Sequence, residues 1–270
     1  MGQANANAVQ VLGSLRAASL QLLGNTAGRV QATEGLAAAN SFSQGAQGRA
    51  DGVQALVAAN TAVSTQASQG STALANSVQV DGTLQSTSVQ VVGNQGTARG
   101  DGRDGLANSV RAQSRGRIAA SSVTVTANQG SGQQGVANSV DVAGSLQGGG
   151  ITIIGNQGSA RDGGAVNSVV GGGRVTGSQI AIIGNAGSAT GGLGNSVRAD
   201  GSITGSSITI LGNQASAQGS GSRVNSVSGS GSIRGSQVLI AGNTGRASGG
   251  GLVNGLHNSG SVTGAQIAIM

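Results

Sequence analysis

The stretch from Asn195 to Asn213, NSVRADGSITGSSITILGN, contains the pattern that decides the fold. Aliphatic residues alternate with polar ones on both sides of Thr204-Gly205-Ser206, and the phase of the alternation changes across that glycine. A period of two is typical of strands with one buried face, and a glycine permits a corner between strands. The stretch therefore predicts two short strands that are joined by a corner and bounded by asparagines.

The same pattern recurs along the chain between two kinds of asparagine. The first-marker asparagines begin Asn-Ser-Val or a looser version of it: Asn7, Asn40, Asn76, Asn108, Asn138, Asn167, Asn195, Asn225 and Asn254. The second-marker asparagines follow Gly or Ala after an apolar run: Asn25, Asn60, Asn94, Asn128, Asn156, Asn185, Asn213 and Asn243. The two markers are 18 residues apart in six copies and 20 in two, whereas the return takes 10 to 16 residues. Insertions thus collect in one variable loop.

A repeat of 28 to 36 residues made of short strands and glycine turns cannot bury a core alone, but stacked copies can. We predict an all-β fold, a single β-solenoid domain over residues 1–270 with about nine rungs and uncapped ends. One rung starts near each first-marker asparagine, and aliphatic residues such as Ile203, Ile208 and Ile210 point inward. A β-sandwich is the alternative, but it predicts no fixed spacing.

The composition agrees with a narrow aliphatic core. Hydrophobic residues make up 37% of the chain and charged ones only 8%, so the chain has apolar material to bury and is not typical of disorder. Phe42 is the single aromatic residue, and there is no Pro. A thin stacked coil has room for small aliphatic side chains, and a proline would delete a ladder hydrogen bond.

Several classes of site and partner are excluded or disfavoured by the same counts. The absence of Cys excludes disulfides and thiolate metal sites. The net charge of +6 comes from Arg without Lys and is dilute over 270 residues, and no aromatic residues accompany it for stacking. We therefore expect no nucleic-acid partner. The chain has no apolar run of 18 residues, so we expect no membrane-spanning helix.

Stacking places each asparagine at the same corner in every rung. Asn side chains can then hydrogen-bond amide to amide along the axis, and Asn tolerates the left-handed backbone that corners require. We predict such ladders through both marker columns. The alternative is a comb of asparagines that binds sugars or ions.

No catalytic constellation or cofactor motif is visible, and we expect neither an enzyme nor a cofactor. The chain lacks the Lys of a P-loop, and its single His257 has no strongly acidic neighbourhood in the sequence. The segment 100–105, GDGRDG, faintly resembles a calcium loop, but Arg103 stands where a ligand is needed, so we interpret it as a polar insertion.

Two further patterns concern the surface of the predicted solenoid. Four arginines follow their turn asparagines, and we interpret them as a solvated edge, with an anion-binding track as the alternative: Arg29, Arg99, Arg161 and Arg246. The outward positions of the second strand do not form the regular Thr plane of an ice-binding solenoid.

The two terminal rungs lead to the functional prediction, because an uncapped rung presents unpaired strand edges. The predicted assembly residues of the N-terminal rung are Val9, Val11, Leu15, Leu20 and Leu22. Those of the C-terminal rung, which stops two residues before its turn asparagine, are Leu256, Val262, Ile267, Ile269 and Met270. We expect the chain to polymerise with itself, head to tail, as an open assembly, with strand addition between neighbours.

A lateral contact is also predicted. The residue two positions before the turn asparagine is apolar in many rungs and should face outward by alternation, notably Ile154, Ile183 and Leu211. If this stripe is exposed, filaments should bundle side by side. The alternative is that the corner turns these side chains back inside.

The repeats resemble known bacterial families. The segment from Asp200 to Asn213 resembles the β-helical repeats of filamentous haemagglutinin-type adhesins and, less closely, the bactofilins. Gln3-Ala-Asn-Ala-Asn-Ala-Val-Gln10 and turns such as Gly155 to Ala160 are similar to the repeats of curlin-type functional amyloids, although the rungs here are longer and lack aromatics. The resemblance implies an extracellular or cell-surface fibre protein, and it supplies no functional residues.

We therefore expect a structural subunit of a biofilm matrix or surface fibre. The alternative is a monomeric β-solenoid adhesin or binding module that grips a glycan or a surface through its variable loop. An enzyme of the pectate-lyase style would need convergent acids, which the sequence does not offer. Residues 1–24 contain no legible secretory signal, so the route of export is not predicted.

Overall fold

The computed structural model describes residues 4–11, 13–32, 36–66, 72–99, 105–113, 116–133 and 135–270. Throughout these ranges the regular structure is β, with no helix. The chain coils into a β-solenoid with four stacked parallel sheets, which we number I to IV in the order in which one rung visits them. Sheets I and III contain nine strands each and sheet IV eight. The predicted solenoid of about nine rungs is confirmed.

Sheet I lies just before the first-marker asparagines. Its strands are Ala4–Ala6, Leu36–Ala39, Thr72–Ala75, Gly105–Ala107, Val136–Ala137, Ala165–Val166, Leu193–Gly194, Arg223–Val224 and Leu252–Val253. Sheet II follows the asparagine. Its first segments are Val9–Val11, Phe42–Asp51, Val78–Gln85, Val110–Ala112, Val140–Val142, Val169–Gly171, Val197–Ala199, Val227–Gly229 and Leu256–Asn258, and its separate second segments are Leu15–Arg16, Arg117–Ala119, Leu146–Gln147, Val175–Thr176, Ile203–Thr204, Ile233–Arg234 and Val262–Thr263.

Sheet III comes after a left-handed corner, which is a glycine such as Gly205 in most rungs and Ala17, Ser86 or Ala120 in the others, and it ends at the second-marker asparagine. Its strands are Ser19–Leu23, Gln54–Ala58, Ser88–Val92, Ser122–Thr126, Gly150–Ile154, Gln179–Ile183, Ser207–Leu211, Gln237–Ala241 and Gln266–Ile269. Sheet IV starts directly after that asparagine. Its strands are Thr26–Ala32, Thr61–Gln66, Gln95–Arg99, Gln129–Gln133, Gln157–Arg161, Ala186–Thr190, Gln214–Gln218 and Thr244–Ser248.

The variable half of the repeat is more regular than the sequence indicates. It contains the strands of sheets IV and I, which pair in register with their counterparts above and below. Most of the change in length falls in the connection between these two sheets, as between Gln218 and Arg223 or between Thr190 and Leu193, and the strand Thr26–Ala32 contains one extra residue at Gly28. The single variable loop is therefore two strands with a short variable tip.

The core is divided between the two halves of the rung. Sheets II and III enclose files of Val, Leu and Ile, and the predicted inward residues Ile203, Ile208 and Ile210 are fully buried. Sheets IV and I enclose a second file made almost entirely of alanines, such as Ala107 and Ala137. Since alanine fills little volume, this half of the rung is thin.

The corners use left-handed backbone at two different kinds of residue. Every first-marker asparagine has a φ between 47° and 50°, as predicted. The second-marker asparagines do not, and here the prediction is wrong. At that corner the left-handed residue is the preceding Gly or Ala, for example Gly212 (φ 63°) or Ala127 (φ 53°), and the asparagine itself has no positive φ.

Candidate assembly and binding surfaces

The second-marker asparagines form a continuous amide ladder. From Asn60 to Asn243, each side-chain N–H group donates to Oδ1 of the next asparagine at 2.9–3.1 Å. The same amide also donates to a backbone carbonyl of the preceding rung, as Asn213 does to Ile182 at 2.8 Å. Asn25 joins the column through its backbone N–H, which donates to Oδ1 of Asn60.

The first-marker asparagines form a second ladder. It runs from Asn7 to Asn254 with Nδ2 to Oδ1 distances of 2.9–3.2 Å. Within both columns the side-chain amides, most of which are buried, hydrogen-bond to one another and to backbone groups. This internal use favours the structural interpretation over a comb that binds sugars or ions.

A ladder that the sequence analysis missed lies beside the first one. The backbone N–H of each Ser after a first-marker asparagine donates to Oγ of the serine one rung earlier, as in Ser109 to Ser77 at 3.1 Å and Ser168 to Ser139 at 2.9 Å. These serines are fully buried. The repeated Ser in Asn-Ser-Val was the signal in the sequence.

The C-terminal rung exposes the residues that should be its core. Val262, Ile267 and Ile269 are 46%, 40% and 49% exposed. Their counterparts one rung earlier, Ile233, Val238 and Ile240, are at most 3% exposed. The difference arises because the described residues provide no further rung to cover this face.

The other residues predicted for the two terminal rungs are also exposed or half-buried. Met270 is exposed, and Leu256 is half-buried. At the other end the inward residues of the first rung are half-buried and pack against the second rung: Val9, Val11, Leu15, Leu20 and Leu22. The inward residues of the first and last described rungs are therefore less buried than those of the rungs between them.

The lateral stripe lies on the outer face of sheet III. Ile154, Ile183 and Leu211 are in register in three successive rungs. Ile154 and Leu211 are 37% and 39% exposed, and Ile183 is half-buried. Leu23 occupies the same column in the first rung and is exposed, so the outward orientation holds and the alternative does not.

The four arginines of the variable half do not form one stripe. Arg99 and Arg161 share a column of sheet IV but are separated by Gln133. Arg246 lies in a different column, where it pairs with Ser216. Arg29 lies in the same column as Arg246, but it is six rungs before Ser216 and therefore far from Arg246. The structure thus does not assemble an anion-binding track from these residues.

A concave groove lies where the outer faces of sheets I and II meet beside the first-marker asparagines. In the N-terminal half this angle is filled: Leu74 and Leu106 are fully buried, and Arg111 is 4% exposed and pairs with Asp141 at 2.8 Å. From Val136 onward the angle is an open groove of about 440 Å³. Its lining includes residues of both sheets and the connections between sheets IV and I.

His257 lies in this groove, in the ninth rung. It is exposed and in register with Ser228 of the rung before. Within the part of the chain that the structure describes, no group of three or more His, Cys, Asp or Glu could hold a metal ion. Residues 100–104 of the GDGRDG segment lie outside the described residues.

Comparison with protein-family models, curated proteins and solved structures finds no significant match. Among the described residues, no helix is long and apolar enough to cross a membrane.

Proposed function

We propose that the chain is a structural subunit that assembles head to tail into a filament, in the extracellular or cell-surface setting that the family resemblance implies. The observation that carries the proposal is the exposed inner face of the C-terminal rung at Val262, Ile267 and Ile269. A first rung of a second copy presents matching aliphatic residues in a parallel strand of the same direction. Stacking it on this face would bury both.

The direction of the asparagine ladder supports head-to-tail polarity. Each first-marker amide donates to the rung that follows, from Asn7 to Asn40 and finally from Asn225 to Asn254. The C-terminal end therefore presents an amide donor and the N-terminal end an amide acceptor. A head-to-tail contact continues the ladder, whereas a head-to-head contact opposes like groups. Such a heterologous contact does not close on itself and produces an open filament.

The test uses the 270-residue protein, electron microscopy and sedimentation velocity. We expect filaments of the native chain, and monomers for the double variant Ile267→Asp and Ile269→Asp, because a carboxylate in a dry interface is costly. Ala268→Asp is the matched control: it lies between them on the outward side of the same strand and should leave filaments intact. Discrete native monomers at high protein concentration would overturn the proposal and favour the monomeric binding module.

A further inference from the structure

The open groove between sheets I and II combines an apolar floor with polar walls. Val136, Ala165 and Leu193 follow one another in register along sheet I and form the floor. The facing wall belongs to sheet II, where Asp141, Val170 and Arg198 lie in the same three rungs as these floor residues, and Ser228 and His257 follow in the next two. The groove runs along the solenoid axis, so each rung adds one residue to each wall at about 4.8 Å intervals.

Among the charged residues of the groove that the structure describes, one arginine has no acidic partner. Asp141 pairs with the buried Arg111, and Asp200 pairs with Arg198 at 2.7 Å. Arg223 also lines the groove, where it follows Leu193 in the sheet I column. It forms no ion pair with any residue that the structure describes. Arg223 is half-buried, and a guanidinium is a planar set of donors that suits a carboxylate.

A buried hydroxyl in the same wall is unsatisfied. Ser228 is 1% exposed, and its Oγ has no hydrogen-bond partner among the described residues. Burying a hydroxyl without a partner costs free energy, which a ligand that supplies the missing bond recovers. Ser228 lies between Arg198 and His257 in the wall, so a ligand group placed there has hydrogen-bonding partners on both sides.

The direction of the groove relative to the strands, together with its side chains, limits which class of polymer can bind in it. An extended peptide binds most readily by adding a strand to a sheet edge, but this groove crosses the strands and offers side chains rather than a free edge. A nucleic acid would need stacking aromatics, which the groove lacks. A chain of hydroxyl-rich rings with carboxylates matches the serine hydroxyls, the acidic acceptors and the unpaired Arg223.

We propose that this groove binds a linear acidic oligosaccharide, with a uronic-acid carboxylate on Arg223 and a sugar hydroxyl on Ser228. The rise of one rung is close to the advance of one pyranose ring in an extended chain, so successive rings meet successive rungs. The groove lies on the outer side of the solenoid, and its two proposed contact residues, Arg223 and Ser228, belong to the rung before the last one, so binding does not depend on filament assembly.

The experiment is calorimetric titration of the full chain with tetragalacturonic acid, and with the neutral cellotetraose as the comparison ligand. We expect the acid to bind and the neutral tetramer to bind at least about tenfold more weakly, since the charge-assisted contact is absent. Arg223→Gln should lower affinity for the acid by about tenfold as well. Arg246→Gln, which removes an arginine from sheet IV, is the matched control and should bind like the native chain.

Ser228→Ala provides a second test, because thermal stability and affinity for the acid should not fall together. It removes an unsatisfied buried hydroxyl, so thermal stability should stay equal or rise, while affinity for the acid should fall. Equal binding of both tetramers, an Arg246→Gln variant as weak as Arg223→Gln, or unchanged affinity in Ser228→Ala would overturn the proposal. Equal binding of tetraglutamate would overturn the assignment to a sugar.

Discussion

Asn185 donates twice to a single atom of Asn213. Its side-chain Nδ2 lies 3.0 Å from Oδ1 of Asn213, and its backbone N–H lies 2.9 Å from the same oxygen. Asn213 passes the arrangement on by donating to Oδ1 of Asn243 at 2.9 Å and to the carbonyl of Ile182 at 2.8 Å. The side-chain amide of Asn213 thus links its own rung to the rungs before and after it. Neither Asp, which lacks the donors, nor Gln, which is longer, can form the same set of hydrogen bonds.

Asn213→Ala should therefore destabilise the solenoid by about 2–4 kcal/mol, because buried donors and an acceptor lose their partners together. The measurement is the free energy of unfolding in urea. Gln214→Ala is the control: Gln214 is the next residue and is exposed, so its loss should change the free energy by less than about 0.5 kcal/mol. Equal effects of the two variants would contradict a structural role for the ladder.

The ladders and the inner files could be predicted from the sequence because they repeat at a fixed spacing with unmistakable residue types. The strands of sheets IV and I could not. Their inward residues are alanines, as in Ala215 and Ala217 of Gln214–Gln218, and alternation of Ala with Gln and Ser carries little hydrophobic contrast. Their length also varies at the connecting tip, which hides the register.

The groove was beyond sequence reasoning for a related reason. Arg198, Ser228 and His257 are about one repeat apart in the chain, and nothing in their identities indicates that they share a wall. Only the pairing of the rungs brings them into register. The left-handed corner at Gly212 was misassigned to Asn213 because both residue types favour that conformation.

The left-handed corner before the second-marker asparagine predicts that Gly→Ala and Ala→Gly substitutions at this position change stability in opposite directions. Gly212 has a φ of 63°, and an added Cβ would meet no atom within 4 Å, so Gly212→Ala should cost about 1 kcal/mol from backbone strain alone. Ala127 occupies the equivalent corner with a φ of 53°. Ala127→Gly should relieve that strain and stabilise the fold by up to about 1 kcal/mol.

The control for the corner is Ala199→Gly, since Ala199 is fully buried and has no positive φ. There the same change should destabilise by about 1 kcal/mol through lost packing and added chain entropy. Thermal unfolding of the three variants gives the signs directly. A destabilised Ala127→Gly would mean that the corner is not strained.

The two ion pairs of the groove differ in burial. Removing the more buried pair should therefore lower the free energy of unfolding by more. Arg111 is 4% exposed beside Asp141, so Asp141→Asn leaves a buried cation with a weaker partner and should cost about 2–3 kcal/mol. Asp200 and Arg198 are 43% and 37% exposed, and Asp200→Asn should cost less than about 1 kcal/mol. Urea denaturation of both variants tests the order, and the reverse order would contradict it.

The outer face of sheet III leads to the prediction for filament bundling. The triple variant Ile154→Ser, Ile183→Ser and Leu211→Ser removes the apolar stripe without touching the inward files, because alternation places these side chains outside. Association of such stripes gains about 25 cal/mol for each Å² of apolar surface buried, and serine forfeits that gain. We expect single filaments in place of bundles in negative-stain images.

The matched control for the stripe changes the neighbouring outward column of sheet III, with Thr124→Ser, Thr152→Ser and Thr209→Ser. These threonines are half-buried and polar, so the control keeps the stripe and should still bundle. Filament length should be the same in the native chain and in both triple variants, since the end contacts are unchanged. Bundles that persist in the stripe variant would assign lateral association to another face, whereas shorter filaments would mean that the stripe also supports the stacking of rungs.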